Sequence, residues 1–306
     1  MNYTEHKNNP KSFRALTGLT HIQFLHLLPY FEAAHDDYLS EYELNGKRRR
    51  NLRSFCIYKN SPLPSVSDRL FFILVYLKNN PLQEYHAACF GMDQKHCNTF
   101  VHCLNHVLRL SLETMGLVPA QTDKELSDRL SELSKDGTVQ PILLHDGTER
   151  EIPRPVDPDE QKEQYSGKKK RHTVKNAVVV TVSCLILFVS QTVSGKTHDK
   201  KIADTMYSFS VPCILYQDTG YQGYMPEKVT IIQPVKKRKG KVLSDQEKEF
   251  NTEVSRIRVR VEHAIGSAKF MRIVKDECRL KANRFVERIF ATCAALHNLR
   301  TKLPHA

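Results

Sequence analysis

A chain of 306 residues with 40% hydrophobic and 26% charged side chains has an ordinary globular composition and is long for one core, so two domains are expected. No apolar run reaches the length of a membrane span, and Met1-Asn2-Tyr3-Thr4-Glu5-His6-Lys7 has no apolar stretch of the secretory-signal kind, so no membrane partner is expected. The formal net charge of +12 points to a polyanionic partner, most simply nucleic acid. The excess is uneven, with 13 Lys/Arg against 10 Asp/Glu in residues 1–120 and 33 against 24 in the remainder.

Thr20 is placed to cap a helix carrying Ile22, Phe24, Leu25, Leu27 and Leu28, with a break expected at Pro29. A polar stretch then ends in Lys47-Arg48-Arg49-Arg50. Ser67 is read as the cap of a helix over 68–78, which is apolar nearly all round and therefore buried. After Asn79-Asn80-Pro81 a short helix is predicted over 82–90, then a tight turn at Gly91-Met92 and a longer helix from near Asp93. Phe100, Leu104, Val107, Leu108 and Met115 keep helical spacing along it. Such a pair is either a plain helical hairpin or a helix-turn-helix (about 82–115), whose second helix enters the DNA major groove. Gln94, Lys95, His96 and Asn98 at its start are of the types that read bases or phosphates.

Residues 1–120 are thus expected to form a helical DNA-binding domain, 121–138 a linker or connecting helix, and 139–306 a second domain. Within the latter, Leu143-Leu144 opens a strand, Pro153, Pro155 and Pro158 mark an irregular excursion, and 174–182 with 185–189 read as a strand pair whose turn, Ser183-Cys184, lacks glycine. A helix over 197–207, a strand over 211–217, an insertion over about 225–250, a helix over 244–269 and a last helix capped by Asn283 complete an α/β layout with a mixed sheet.

The eight cysteines include no CxxC pair and mostly lie in apolar stretches, as reduced buried thiols do. The cluster His96, Cys97, His102, Cys103, His106 lacks a second paired-ligand knuckle and reads as a His-rich helix face. Three acids stand apart. Asp146 ends the apolar run Pro141 to His145, and Asp218 ends Val211 to Gln217, each as an acid at the tip of a short buried strand. Glu262 follows Arg258 by four residues and precedes Lys269 by seven, which puts the three on one helical face. Held between two cations, such a carboxylate is either part of a surface ion-pair stripe or the acidic corner of a phosphate-handling site. With the two aspartates, it is read as a metal-binding triad, since hard oxygen ligands suit Mg²⁺ and paired ions neutralise both oxygens of a phosphodiester displacement.

Three acids among 34 would mean little without their flanks. The stretches His145-Asp146-Gly147-Thr148-Glu149, Tyr165 to Lys175, Asp218-Thr219-Gly220-Tyr221-Gln222-Gly223 and Arg258 to His263 together resemble the DDE transposases of bacterial insertion sequences, a group that includes the Harbinger-type eukaryotic elements. The resemblance runs in order through about 140–300, and the N-terminal helices are similar to that family's helix-turn-helix region. It implies a ribonuclease H-like catalytic core in which Asp146, Asp218 and Glu262 bind two Mg²⁺ or Mn²⁺ ions, with Arg258 and Lys269 on DNA near the cut. The family's helical signature has tyrosine where this chain has Ser255, which puts a tyrosine-dependent contact in doubt but leaves the metal ligands intact.

Phosphate contacts are also expected at Lys168, Lys169, Lys170, Arg171 and Lys175, and at Lys236, Lys237 and Arg238 in the insertion. His198-Asp199 is compatible with a place in the site or with the start of a helix. The resemblance implies binding to terminal inverted repeats and target DNA, strand cleavage and strand transfer, and a homodimer or larger synaptic assembly. The location would be cytoplasmic and nucleoid-associated in a bacterium, nuclear in a eukaryote. A non-catalytic DNA-binding protein of the same fold and a metal nuclease that joins nothing are the alternatives.

Overall fold

Side-chain caps open most of the predicted helices. The computed structural model describes the chain except residues 53, 135–139, 238, 239, 241, 281–284 and 304–306, so the expected Asn283 cap and Arg238 contact lie outside the described residues. Two compact units emerge: Met1–Val118 with Lys269–Asp276 and Asn298–Ala306, and Pro119–Ala268 with Glu277–His297.

In the first unit, α1 (Tyr3–His6) and α2 (Pro10–Thr17) lead into α3 (His21–Glu41), capped by Thr20 and Gln23 as a reciprocal box. Helix α3 passes straight through Pro29, contrary to the expected break. Its buried residues Phe24, Leu27, Phe31, His35 and Leu39 form one continuous stripe, and packing that stripe outweighs the roughly 3 kcal/mol a mid-helix proline costs. Helix α4 (Val66–Asn79) is capped by Ser65, two residues earlier than expected, and is buried nearly all round. Next come α5 (Gln83–Cys89), a turn through Gly91 at φ +66°, and α6 (Gln94–Thr114), capped by Asp93. Cys97, Phe100, Val101, Leu104, Val107 and Leu108 hold α6 in the core, which leaves Gln94 and Lys95 exposed at its start.

The second unit is a mixed sheet with helices on both faces. Of the two readings of 121–138, linker or connecting helix, the chain forms a helix, α7 (Asp123–Leu133), because Leu126 and Leu130 are one turn apart and enter the core. Strand β1 (Ile142–Glu151) is followed by α8 (Pro158–Gln164), β2 (Tyr165–Ser166), β3 (Arg171–Thr181), β4 (Ile186–Val189) and β5 (Val193–Ser194). Then come α9 (Asp199–Met206), β6 (Cys213–Tyr216) and β7 (Val229–Ile232). Long helix α10 (Asp245–Ala268) and α11 (Phe285–Lys302) follow; Ser244 and Glu247 cap α10 reciprocally. Strand β7 was not expected: Val229-Thr230-Ile231-Ile232 lies inside what reads as an insertion.

The sheet runs β2-β3-β1-β6-β7, with β4 and β5 also paired to β3. Strand β3 is antiparallel to both β1 and β4, whereas β6 lies parallel to β1 and β7 parallel to β6. This is consistent with a ribonuclease H-like core. The glycine-free turn between β3 and β4 puts Cys184 at φ +65°, a left-handed conformation costing about 1 kcal/mol for a residue with a Cβ. Its carbonyl accepts a 2.7 Å hydrogen bond from His297 Nε2.

Candidate active site

Asp146 lies in the middle of β1 and not at its tip, because β1 continues to Glu151 along β3 while its other neighbour, β6, stops at Tyr216. Leu144 pairs with Tyr216, and the same 72-residue offset separates Asp146 from Asp218, two positions further along each chain. Side chains alternate along a strand, so both carboxylates leave the same face of the sheet at the level where β6 ends. Each is oriented alike: Asp146 Oδ1 accepts from the Gly147 N–H at 2.7 Å and Asp218 Oδ1 from the Thr219 N–H at 2.6 Å. The second oxygen of each is the one a ligand would meet.

Helices α10 and α11 cover that face. Arg150, of the same parity as Asp146, donates to the Val286 carbonyl and stacks on Phe290 of α11. From α10, Arg258 Nη1 reaches to 3.7 Å from Asp218 Oδ1. Burial pushes the Asp146 carboxyl up to about 6, with Asp218 and Asp199 acting in the same direction and the Gly147 N–H and Arg258 opposing them. Loss of hydration is thus the main cause, and the guanidinium of Arg258 offsets only part of it. Two hard carboxylates in register, one of them reluctant to ionise alone, fit a divalent cation.

The third expected ligand is not assembled with them. Glu262 is exposed on α10, one turn after Arg258, and among the described residues no group of three acidic, imidazole or thiol side chains is gathered to hold a metal. Helix α10 ends at Ala268, so Lys269 lies just past it; the shared helical face holds for Arg258 and Glu262 only.

On the opposite face, His145 is fully buried, and burial pushes its imidazole down to about 3, so it is neutral. Its Nδ1 lies 3.0 Å from Tyr207 Oη, its Nε2 3.2 Å from Gln217 Oε1, and its ring stacks on Tyr221 at 3.8 Å.

Asp199 lies in the first turn of α9 and packs on Gly147, which has the strand parity of His145 and not of Asp146. Its carboxylate packs so tightly on Gly147 that a Cβ there would overlap Oδ1, and Gly220 lies at the other oxygen. Lys175 Nζ holds it at 3.1 Å, stands 3.7 Å from Glu149 Oε1 and donates to the Thr197 carbonyl at 2.9 Å. This corrects the reading of Lys175 as a phosphate contact: only 7% of the residue is exposed, and its ammonium is engaged inside the fold. Glycine directly after Asp146, at 147, and two residues after Asp218, at 220, leaves room for the Asp199 carboxylate.

The other expected phosphate contacts are on the surface. Lys168, Lys169 and Lys170 are exposed in the tight turn between β2 and β3, and Arg171 pairs with Glu151 at 2.6 Å. Arg171 is seven positions along β3 from Val178, the partner of Asp146, or roughly 24 Å at the rise of a strand. These lysines would meet backbone several base pairs from a phosphate at Asp146. Lys236 and Lys237 are exposed after β7. In the first unit, Gln83 Oε1 accepts from both Gln94 Nε2 at 3.0 Å and Asn98 Nδ2 at 3.2 Å, which groups three amides at the start of α6.

Residues 145–298 match the family model described as "DDE superfamily endonuclease", and residues 61–114 match "Helix-turn-helix of DDE superfamily endonuclease". Among curated proteins, the chain is 32% identical over 155 residues to the "Probable transposase for insertion sequence element IS702" of Microchaete diplosiphon, covering 50% of this chain and 55% of that protein. It is 24% identical over 238 residues to the "Putative transposase for insertion sequence element IS112" of Streptomyces albus G, covering 76% of this chain and 80% of that one. The chain thus spans about half the length of the first relative and most of the second. No solved structure matches. No helix among the described residues is long and apolar enough to cross a membrane. With one family model over the sheet and its two aspartates and the other over α4 to α6, this chain belongs to the DDE superfamily endonucleases and carries their helix-turn-helix.

Proposed function

We propose that the protein is a transposase that cleaves DNA at the ends of its element and transfers the freed strand to target DNA. The observation that supports this is the 72-residue offset that Asp146 and Asp218 share with the registered pair Leu144 and Tyr216, two residues earlier, together with Arg258 at 3.7 Å from Asp218. Asp146, Asp218 and Glu262 are the residues that would hold the divalent ions, Mg²⁺ or Mn²⁺. When bound, such a pair neutralises charge on the attacking and departing oxygens of the phosphodiester.

The chain's own residues do the rest. Backbone N–H groups of Gly147 and Thr219 hold one oxygen of each aspartate and so aim the other outward. Arg258 compensates the carboxylates and lies within reach of a phosphate laid over Asp218. The start of α6, with Gln94, Lys95 and Asn98, reads terminal inverted repeats in the major groove. Lys168 to Lys170, Lys236, Lys237 and Lys269 hold flanking backbone. Joining two element ends requires two active sites at once, hence a homodimer or larger assembly.

The test is a strand-transfer assay with duplexes carrying the element's terminal repeats and Mg²⁺. Asp146→Asn and Asp218→Asn should each abolish cleavage while repeat binding survives. Cleavage without joined product would make the protein a nuclease only, and repeat binding without cleavage would make it a DNA-binding protein of the same fold.

A further inference from the structure

Beneath the two aspartates, on the other face of the sheet, the residues that precede them are joined side chain to side chain. His145 and Gln217 share the 72-residue offset of the strand register. The paired register of β1 and β6 ends at Leu144 and Tyr216, so at the level of the aspartates the His145–Gln217 contact takes over the work of holding the strands together.

This contact is one step in a longer chain. Gln217 Nε2 lies 3.5 Å from Gln233 Oε1, and Gln233 Nε2 donates to the backbone carbonyl of Asp218 at 2.6 Å. A carbonyl can only accept, which fixes the sense of every bond before it. Gln233 must turn its NH₂ to Asp218 and its oxygen to Gln217. Gln217 must then turn its own oxygen to His145, whose Nε2 carries the proton, and Nδ1 accepts from the Tyr207 hydroxyl. The ring of Tyr221, three residues past Asp218, stacks on the same imidazole. One fully buried side chain is thereby tied to the residue before Asp218, to the turn after it and, by its own backbone, to Asp146. Gln217 and His145 are each 1% exposed or less, so no water competes for these bonds.

We propose that His145, Gln217 and Gln233 form a positioning bridge that sets the separation and aim of the Asp146 and Asp218 carboxylates, and hence the affinity of the pair for a divalent cation. This rests on the reading of those aspartates as metal ligands. The residues touch neither metal nor DNA; they act through the backbone that carries the ligands.

The experiment is a Mn²⁺ titration of the full chain without DNA, followed by electron paramagnetic resonance, with thermal melts alongside. Asp146→Asn should abolish specific Mn²⁺ binding. Gln217→Leu, close in volume but unable to bridge, and Gln233→Leu, at the half-buried end of the chain, should each raise the Mn²⁺ dissociation constant about tenfold. Leu130→Ala, on α7 in the same core, should lower the melting temperature and leave Mn²⁺ affinity unchanged. If Gln217→Leu does not fold, Gln233→Leu decides. Wild-type affinity in the folded bridge variants, or equal weakening by Leu130→Ala, would overturn the bridge while the aspartate site stands. Undiminished Mn²⁺ binding by Asp146→Asn would remove the site itself, and the bridge with it.

Discussion

Arg258 reaches Asp218 from the covering helix, with Nη1 3.7 Å from Oδ1, while Glu262, one turn further along α10, stays in solvent. The helix thus presents a cation to the aspartates and leaves its own acid exposed. Glu262→Gln should therefore leave Mn²⁺ affinity of the DNA-free protein unchanged but lower cleavage on the order of 10²-fold or more, the cost of a misplaced ligand in the assembled complex. Comparing Mn²⁺ titrations with and without a terminal-repeat duplex checks this. A loss already present without DNA would mean that Glu262 joins the aspartates in the free protein.

The buried carboxyl of Asp146 has a stability signature. Its folded value of about 6 lies above the ordinary aspartate value of 3.8, so the protonated acid is the form that folding favours. Its contribution is fully present below the unfolded value and is lost as pH rises through about 6. Asp146→Asn keeps an acceptor for the Gly147 N–H without the charge, and should stabilise the protein at pH 7–8 by about 1–3 kcal/mol. Urea melts at pH 4 and pH 8 measure the difference: the variant's advantage should be present at pH 8 and absent at pH 4. Added Mg²⁺ should stabilise the wild type and not the variant.

Lys175 offers a test of interior against surface. Lys175→Met keeps the aliphatic stem but strands Glu149 and Asp199, whose side chains are 10% and 30% exposed. Removing one partner of a buried ion pair costs about 3–5 kcal/mol, reduced here by the partial exposure of Asp199. The melt should shift accordingly, while the dependence of DNA affinity on salt should not. A changed salt slope with unchanged stability would return Lys175 to the DNA surface.

Backbone and base contacts are expected to separate cleanly. Lys168→Ala and Lys169→Ala, at the exposed tip of the β2–β3 hairpin, should each lower the magnitude of the log K versus log salt slope by roughly 1 and weaken all sequences alike. Gln94→Ala and Asn98→Ala should instead cost about 1–3 kcal/mol at one base pair and relax preference there. Binding curves over a salt series with single-base substitutions in the repeat provide both readouts. Sequence-independent loss at Gln94 and Asn98 would reduce the helix pair to a structural hairpin.

Patterns carried by near neighbours were legible in the chain alone. The cap at Thr20, the helix-turn-helix spacing around Gly91, the β3–β4 pair and the apolar runs ending at Asp146 and Asp218 each need only a few consecutive residues to be recognised. A periodicity of two or of 3.6 states which face of an element is apolar, and folding rarely overrides it over ten residues. What it does not state is the partner. Strand β7 escaped notice because four residues in a polar stretch look like a loop until β6 offers them a ladder. Pro29 read as a helix end because its local penalty is visible and the long-range packing of Phe31, His35 and Leu39 is not. Lys175 read as a surface cation because only the fold brings Glu149 and Asp199 to it. The register that ends at Leu144 and Tyr216, with His145 and Gln217 and then Asp146 and Asp218 following at the same offset, joins residues 72 positions apart. That register is set by the packing of the whole sheet, since a slip of one residue would turn each carboxylate to the opposite face.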